Sequence, residues 1–167
     1  MDFLAVEGRV AEVRGRIAEA VARGGHGQAV TLVAVTKTHG PQAVEAAWAA
    51  GVTDVGENKV QEATAKQDAL SLAPCTAGGI RWHLIGHLQT NKAKALPRFA
   101  LFHALDRDGL VEAADAVGRK AAAVVGTGAA FTVAPQPVSV LVQVNVSGED
   151  TKGVSARRGA GAGGAAA

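Results

Sequence analysis

Thr31-Leu-Val-Ala-Val-Thr-Lys37 is the stretch from which the rest of the chain is read. Its residues are apolar or β-branched, the types that fit a pleated and buried surface. The run lacks the polar alternation of a half-solvated strand, so it predicts a parallel strand over 31–36, covered on both faces. Lys37 closes it, and His39-Gly40-Pro41 follows. A lysine ordinarily points into solvent. Here, period-two alternation gives Lys37 the same face as Val33 and Val35, so its stem leaves over apolar ground. Desolvation in such a place lowers an amine's pKa and makes it a better nucleophile toward an aldehyde. The lysine is placed to meet a carbonyl group.

Before this strand, Val6, Val10, Val13, Ile17 and Val21 recur every three or four residues among Glu and Arg, the pattern of an amphipathic helix, and Gly24-Gly25 stops it. After it, Pro41 suits the first turn of a second helix with Val44, Ala47 and Trp48 inward and Gly51 at its end. A short strand over 52–55 and a Gly56-Glu57-Asn58 turn lead into a third helix. Its Val60, Ala63 and Leu70 face inward, and its Lys59, Glu62, Lys66 and Asp68 are expected to face water.

Residues 71–79 read as loop, 81–85 as a third strand, 89–96 as a short helix cut off by Pro97, and 99–105 as a fourth strand. Asp106 and Asp108 offer caps to a helix with Leu110, Val111, Ala114, Val117 and Ala121 inward. A Gly, Ala and Pro loop over 126–137 precedes a fifth strand, 139–146, that ends in Asn145 and Ser147-Gly148. Alternating short strands and helices predict an α/β fold with parallel strands and right-handed crossovers. Lys37, Asn58, His87, Asp106 and Asn145 gather at strand ends, where such folds build their sites. Residues 156–167 contain only Ala, Gly and two Arg. They bury no core, which predicts a domain over 1–155 and a disordered tail over 156–167.

Composition narrows the function classes. Seventeen basic and fifteen acidic residues give a net charge of +2, too weak a field to call for nucleic acid or an anionic membrane as partner. Lys92, Lys94 and Arg98 lack interleaved aromatic residues and read as a solvated helix face. A single cysteine, Cys75, suits a reducing compartment. Met1-Asp2-Phe3-Leu4 lacks a basic n-region and an apolar h-region, and no apolar run reaches the ~18 residues of a membrane span. The expectation is a soluble, cytoplasmic protein. His83 and His87 have helical ligand spacing, but on a strand they would stand ~13 Å apart, too far for one metal ion. Phosphate-loop and Ser or Cys nucleophile motifs are absent.

Four segments in order, Val33-Ala-Val-Thr-Lys37, Val55-Gly-Glu-Asn-Lys-Val-Gln-Glu62, Trp82-His-Leu-Ile-Gly-His-Leu-Gln-Thr-Asn-Lys92 and Leu141-Val-Gln-Val-Asn-Val-Ser-Gly-Glu-Asp-Thr-Lys152, resemble the YggS/PROSC family of pyridoxal phosphate homeostasis proteins. The resemblance covers about residues 1 to 155. It implies a TIM-type (β/α) barrel similar to the N-terminal domain of alanine racemase. Pyridoxal 5'-phosphate would be its cofactor, held as a Schiff base on Lys37, with Asn58 close to the ring and His83, Ile85 and Asn145 in the pocket wall. It implies cofactor binding, buffering and delivery without turnover.

About five strand-helix units are legible where a closed barrel needs eight and ~250 residues, so the expectation is a partial barrel, shortened at its C-terminus. The family implies a monomer when full-length, and open strand edges would favour self-association of the shortened form. Two alternatives stand beside this reading. A racemase-like enzyme would need the opposite-face tyrosine that such racemases carry, and the sequence has no tyrosine. An interaction fragment without cofactor would pair through the open edges.

Overall fold

The computed structural model describes residues 5–123, 137–146 and 154–155. The tail expected over 156–167, and the loop expected over 126–137 apart from its last residue, lie outside the described residues. The chain forms two compact units, Met1–Glu57 with Gln61–His83, and Asn58–Val60 with Leu84–Ala167.

In the first unit, helix α1 (Val6–Gly24) is closed by Gly25, whose φ of 66° lets its N–H return to the carbonyl of Val21 at 3.2 Å. That left-handed C-cap is a position glycine occupies without steric cost. The predicted stripe is the covered side of α1, with Val6, Val10, Ile17 and Val21 half-buried, but Val13 is exposed and no α1 residue is fully buried. Strand β1 spans Val33–Val35, shorter than the run that predicts it. Helix α2 (Gln42–Ala49) begins right after Pro41 and buries Val44 and Ala47.

Strand β2 is Asp54–Glu57, displaced toward the C-terminus from the predicted 52–55, so that Gly56 and Glu57 are strand and not turn. It pairs in parallel with β1, Val33 opposite Asp54 and Val35 opposite Gly56. All four β2 residues are buried although two are acids. Their charges are matched by partners on neighbouring segments, which periodicity alone does not reveal. Helix α3 (Val60–Ala69) buries Val60 and Ala63, with Leu70 just beyond its end. Within the predicted loop, α4 (Pro74–Ala77) forms one turn that buries Cys75. Strand β3 is Arg81–Leu84.

In the second unit a 3-10 segment, Thr90–Arg98, replaces the short α-helix and contains Pro97. It packs against α5 (Asp108–Ala123), which buries Leu110 and Ala114 but leaves Val111 exposed. Strand β4 is Leu101–Leu105, and its Phe102, Ala104 and Leu105 join Leu84, Leu88 and Leu96 in the core of this unit. The predicted fifth strand is broken. Strand β5 (Val140–Val142) pairs in parallel with β4, the Gln143 N–H returns to the Leu105 carbonyl, and β6 (Val144–Asn145) pairs instead with β7 (Val154–Ser155). Strand order follows chain order, β1-β2-β3-β4-β5, as helical crossovers between successive parallel strands require. No helix among the described residues is long and apolar enough to cross a membrane.

Candidate functional site

Lys37 lies in the turn after β1, two residues past Val35, and is exposed. Val35 is itself half-exposed. The strand is therefore open on the face that Lys37 was expected to share, and its stem does not run under apolar cover. The amine makes no hydrogen bond or ion pair among the described residues, which leaves it available to react.

What surrounds Lys37 in the chain is tightly held. Thr36 is buried, and its N–H donates to the Gly56 carbonyl at 3.0 Å. The Thr36 hydroxyl donates to Glu57 Oε1 at 2.5 Å, and the Thr36 carbonyl accepts from Lys66 Nζ at 2.8 Å. On the other side, Thr38 has a φ of 66°. For a β-branched residue this left-handed conformation is an outlier costing on the order of 1–3 kcal/mol. The Thr38 N–H donates to Glu62 Oε1 at 2.5 Å.

Lys66, expected to face water, is instead buried and joins these contacts. Its ammonium donates to the Thr36 carbonyl, to Glu57 Oε1 at 2.6 Å and to Glu62 Oε1 at 3.1 Å, which uses all three of its N–H groups. Its side chain is 5% exposed and that of Glu57 0%. Glu57 Oε2 is buried and has no partner among the described residues, so the pair rests on Oε1. The sequence held one signal of this arrangement, the Glu62 to Lys66 spacing of four that lets such side chains meet on a helix.

A second buried cluster occupies β2 and β3. Asp54 Oδ1 accepts from His83 Nε2 at 2.8 Å, and Oδ2 accepts from Arg81 at 2.8 Å and from the Thr53 hydroxyl at 2.7 Å. Burial by itself would raise the Asp54 pKa. Hydrogen bonds from Arg81, Thr53 and His83 outweigh it and hold the carboxyl below its ordinary value, while Asp54 in turn raises the Arg81 guanidinium. His83, expected in a pocket wall, thus spends its ring nitrogen on Asp54.

In the second unit, His87 Nδ1 meets Asp106 Oδ2 at 2.7 Å while Nε2 meets Arg107 at 3.1 Å, and Arg107 also donates to the Leu88 carbonyl. Two of the polar strand-end residues are thereby brought together. Asn58 directly follows β2 and Ile85 directly follows β3, both half-buried. A Cβ on Gly86 would strike the Asn58 backbone, so only glycine permits that approach. Asn145 is half-buried in β6, outside the main sheet that was expected to end with it.

A five-stranded parallel sheet in chain order, with an exposed lysine in the turn after its first strand, is the arrangement of the (β/α) barrel class. Comparison with known proteins defines it further. No family model matches. The pyridoxal phosphate homeostasis protein of Pseudomonas aeruginosa is 37% identical over 145 residues, covering 86% of this chain and 55% of that protein. PipY of Synechococcus elongatus, solved without PLP, superposes with a TM-score of 0.65 at 31% identity, over 89% of this chain and 58% of PipY. PipY with PLP bound gives a TM-score of 0.54 at 33% identity, over 71% of this chain and 49% of that one. These similarities are to the pyridoxal phosphate homeostasis, or YggS/PROSC, family, and the chain spans about half the length of the curated relatives it matches.

Proposed function

We propose that this chain binds pyridoxal 5'-phosphate through Lys37 and serves the intracellular homeostasis of that cofactor, in the cytoplasm and without turnover of its own. The cofactor supplies an aldehyde, and a primary amine condenses with an aldehyde when it is free and held in place. The observation that carries the reading is the exposed Lys37 amine between two fixed residues, Thr36 and Thr38. The bound PLP in a PipY structure and the names of the relatives support it. Asn58, Ile85, His83 and Asn145 are assigned as further cofactor contacts on the family resemblance. Neither nucleic acid nor membrane is a partner in this reading.

Incubation with pyridoxal 5'-phosphate, borohydride reduction and peptide mass mapping test it. The expected result is a pyridoxyl group on the Lys37 peptide, absent in Lys37→Ala. An unmodified Lys37 in a folded sample refutes the proposal.

A further inference from the structure

The Lys37 amine has no hydrogen bond or ion pair among the described residues, yet the residues on both sides of it are held by one buried cation. Lys66 Nζ reaches the Thr36 carbonyl directly and Thr38 through Glu62, whose Oε1 accepts from both Lys66 and the Thr38 N–H. Glu57 Oε1 ties the same ammonium to the Thr36 hydroxyl. The left-handed backbone of Thr38 would relax toward an ordinary conformation unless something held it. Glu62 provides that hold, and Lys66 keeps Glu62 in place.

We infer that Lys66, acting through Glu57 and Glu62, is a positioning residue for Lys37. The buried Lys66 ammonium fixes the backbone on both sides of the reactive lysine and so sets where its amine is presented. The inference rests on the proposed cofactor role of Lys37, while the fixed backbone is a property of the chain alone. A buried charged cluster can define one local conformation even where it contributes little net stability. Here the conformation defined is that of a single turn. The cost of positioning is then met in folding and not in binding.

Two variants test this. Lys66→Met removes the cation, and Glu62→Ala removes the half-buried acceptor while leaving the Lys66–Glu57 pair intact. Without cofactor, amide exchange at Thr38 is expected to speed about tenfold or more in both variants, the scale of a lost hydrogen bond to a charged group. Glu62→Gln, which retains an oxygen for the Thr38 N–H, should stay within about threefold of the parent. With cofactor, the pyridoxal 5'-phosphate concentration that half-saturates borohydride trapping on Lys37 should rise about tenfold in Lys66→Met and Glu62→Ala. Unchanged Thr38 exchange in a folded Glu62→Ala overturns the fixed backbone. Faster exchange with unchanged trapping overturns the link to Lys37. If the parent protein traps nothing, the proposed function fails and the link with it, whereas the Thr38 result still decides the fixed backbone.

Discussion

Replacing Asp54 with Asn leaves the shape of the β2 side chain intact and removes its charge. The Asp54 side chain is 2% exposed and that of His83 8%, so the bond between them is desolvated on both sides. A hydrogen bond to a charged group in such a place contributes about 1.5–3 kcal/mol. Arg81 is 56% exposed, and solvent screens its share to about 1 kcal/mol or less. The expected loss is therefore about 2–4 kcal/mol, a large part of the ~5–15 kcal/mol that keeps a domain folded. With a urea slope of about 1–3 kcal/mol per molar, the unfolding midpoint should fall by roughly 0.7–4 M.

The acid limb supplies the sign. Asp54 has a folded pKa below its unfolded value of about 4. Its contribution is thus complete above that unfolded value and is lost as pH falls through the lower folded one. The stability curves of parent and Asp54→Asn should lie apart near neutrality and converge in acid. A loss under about 0.5 kcal/mol at neutral pH, or curves that stay parallel down to pH 2, would refute the reasoning.

Packing supplies two further tests. Gly86→Ala drives a methyl into the Asn58 backbone and should cost about 1–3 kcal/mol by overpacking, measured by thermal unfolding. Leu110→Ala, at a fully buried α5 position, should cost about 2–5 kcal/mol in urea unfolding, whereas Val111→Ala, at an exposed one, should cost under about 1 kcal/mol.

The sequence revealed best what local rules govern. The period of α1 and its Gly25 stop, the start of α2 after Pro41, and the chain order of the strands follow from side-chain spacing and from the conformational limits of Gly and Pro. It hid what partners far along the chain decide. Glu57 reads as a turn residue until Lys66 is seen to pair with it, which is why β2 runs two residues beyond its expected end. Lys66 looked solvated for the same reason. Lys37 is singled out in the sequence by its position at the end of an apolar run, but the strain at Thr38 that marks its turn has no sequence signature, since threonine is a poor choice for a left-handed backbone. The break at Gln143 divides a run made mostly of valine and leucine, which by residue type favours extension.

Cys75, the sole thiol of the chain, sits 1% exposed in the short turn α4. A thiol reagent in water cannot reach it unless that turn lifts away. Its labelling rate is therefore a clock for the opening of the first unit, and it can be read in the unmodified protein without introducing any probe. Because Lys37 belongs to the same unit, the clock should slow when a ligand occupies that lysine and tightens its surroundings. The chain thereby carries its own reporter of occupancy.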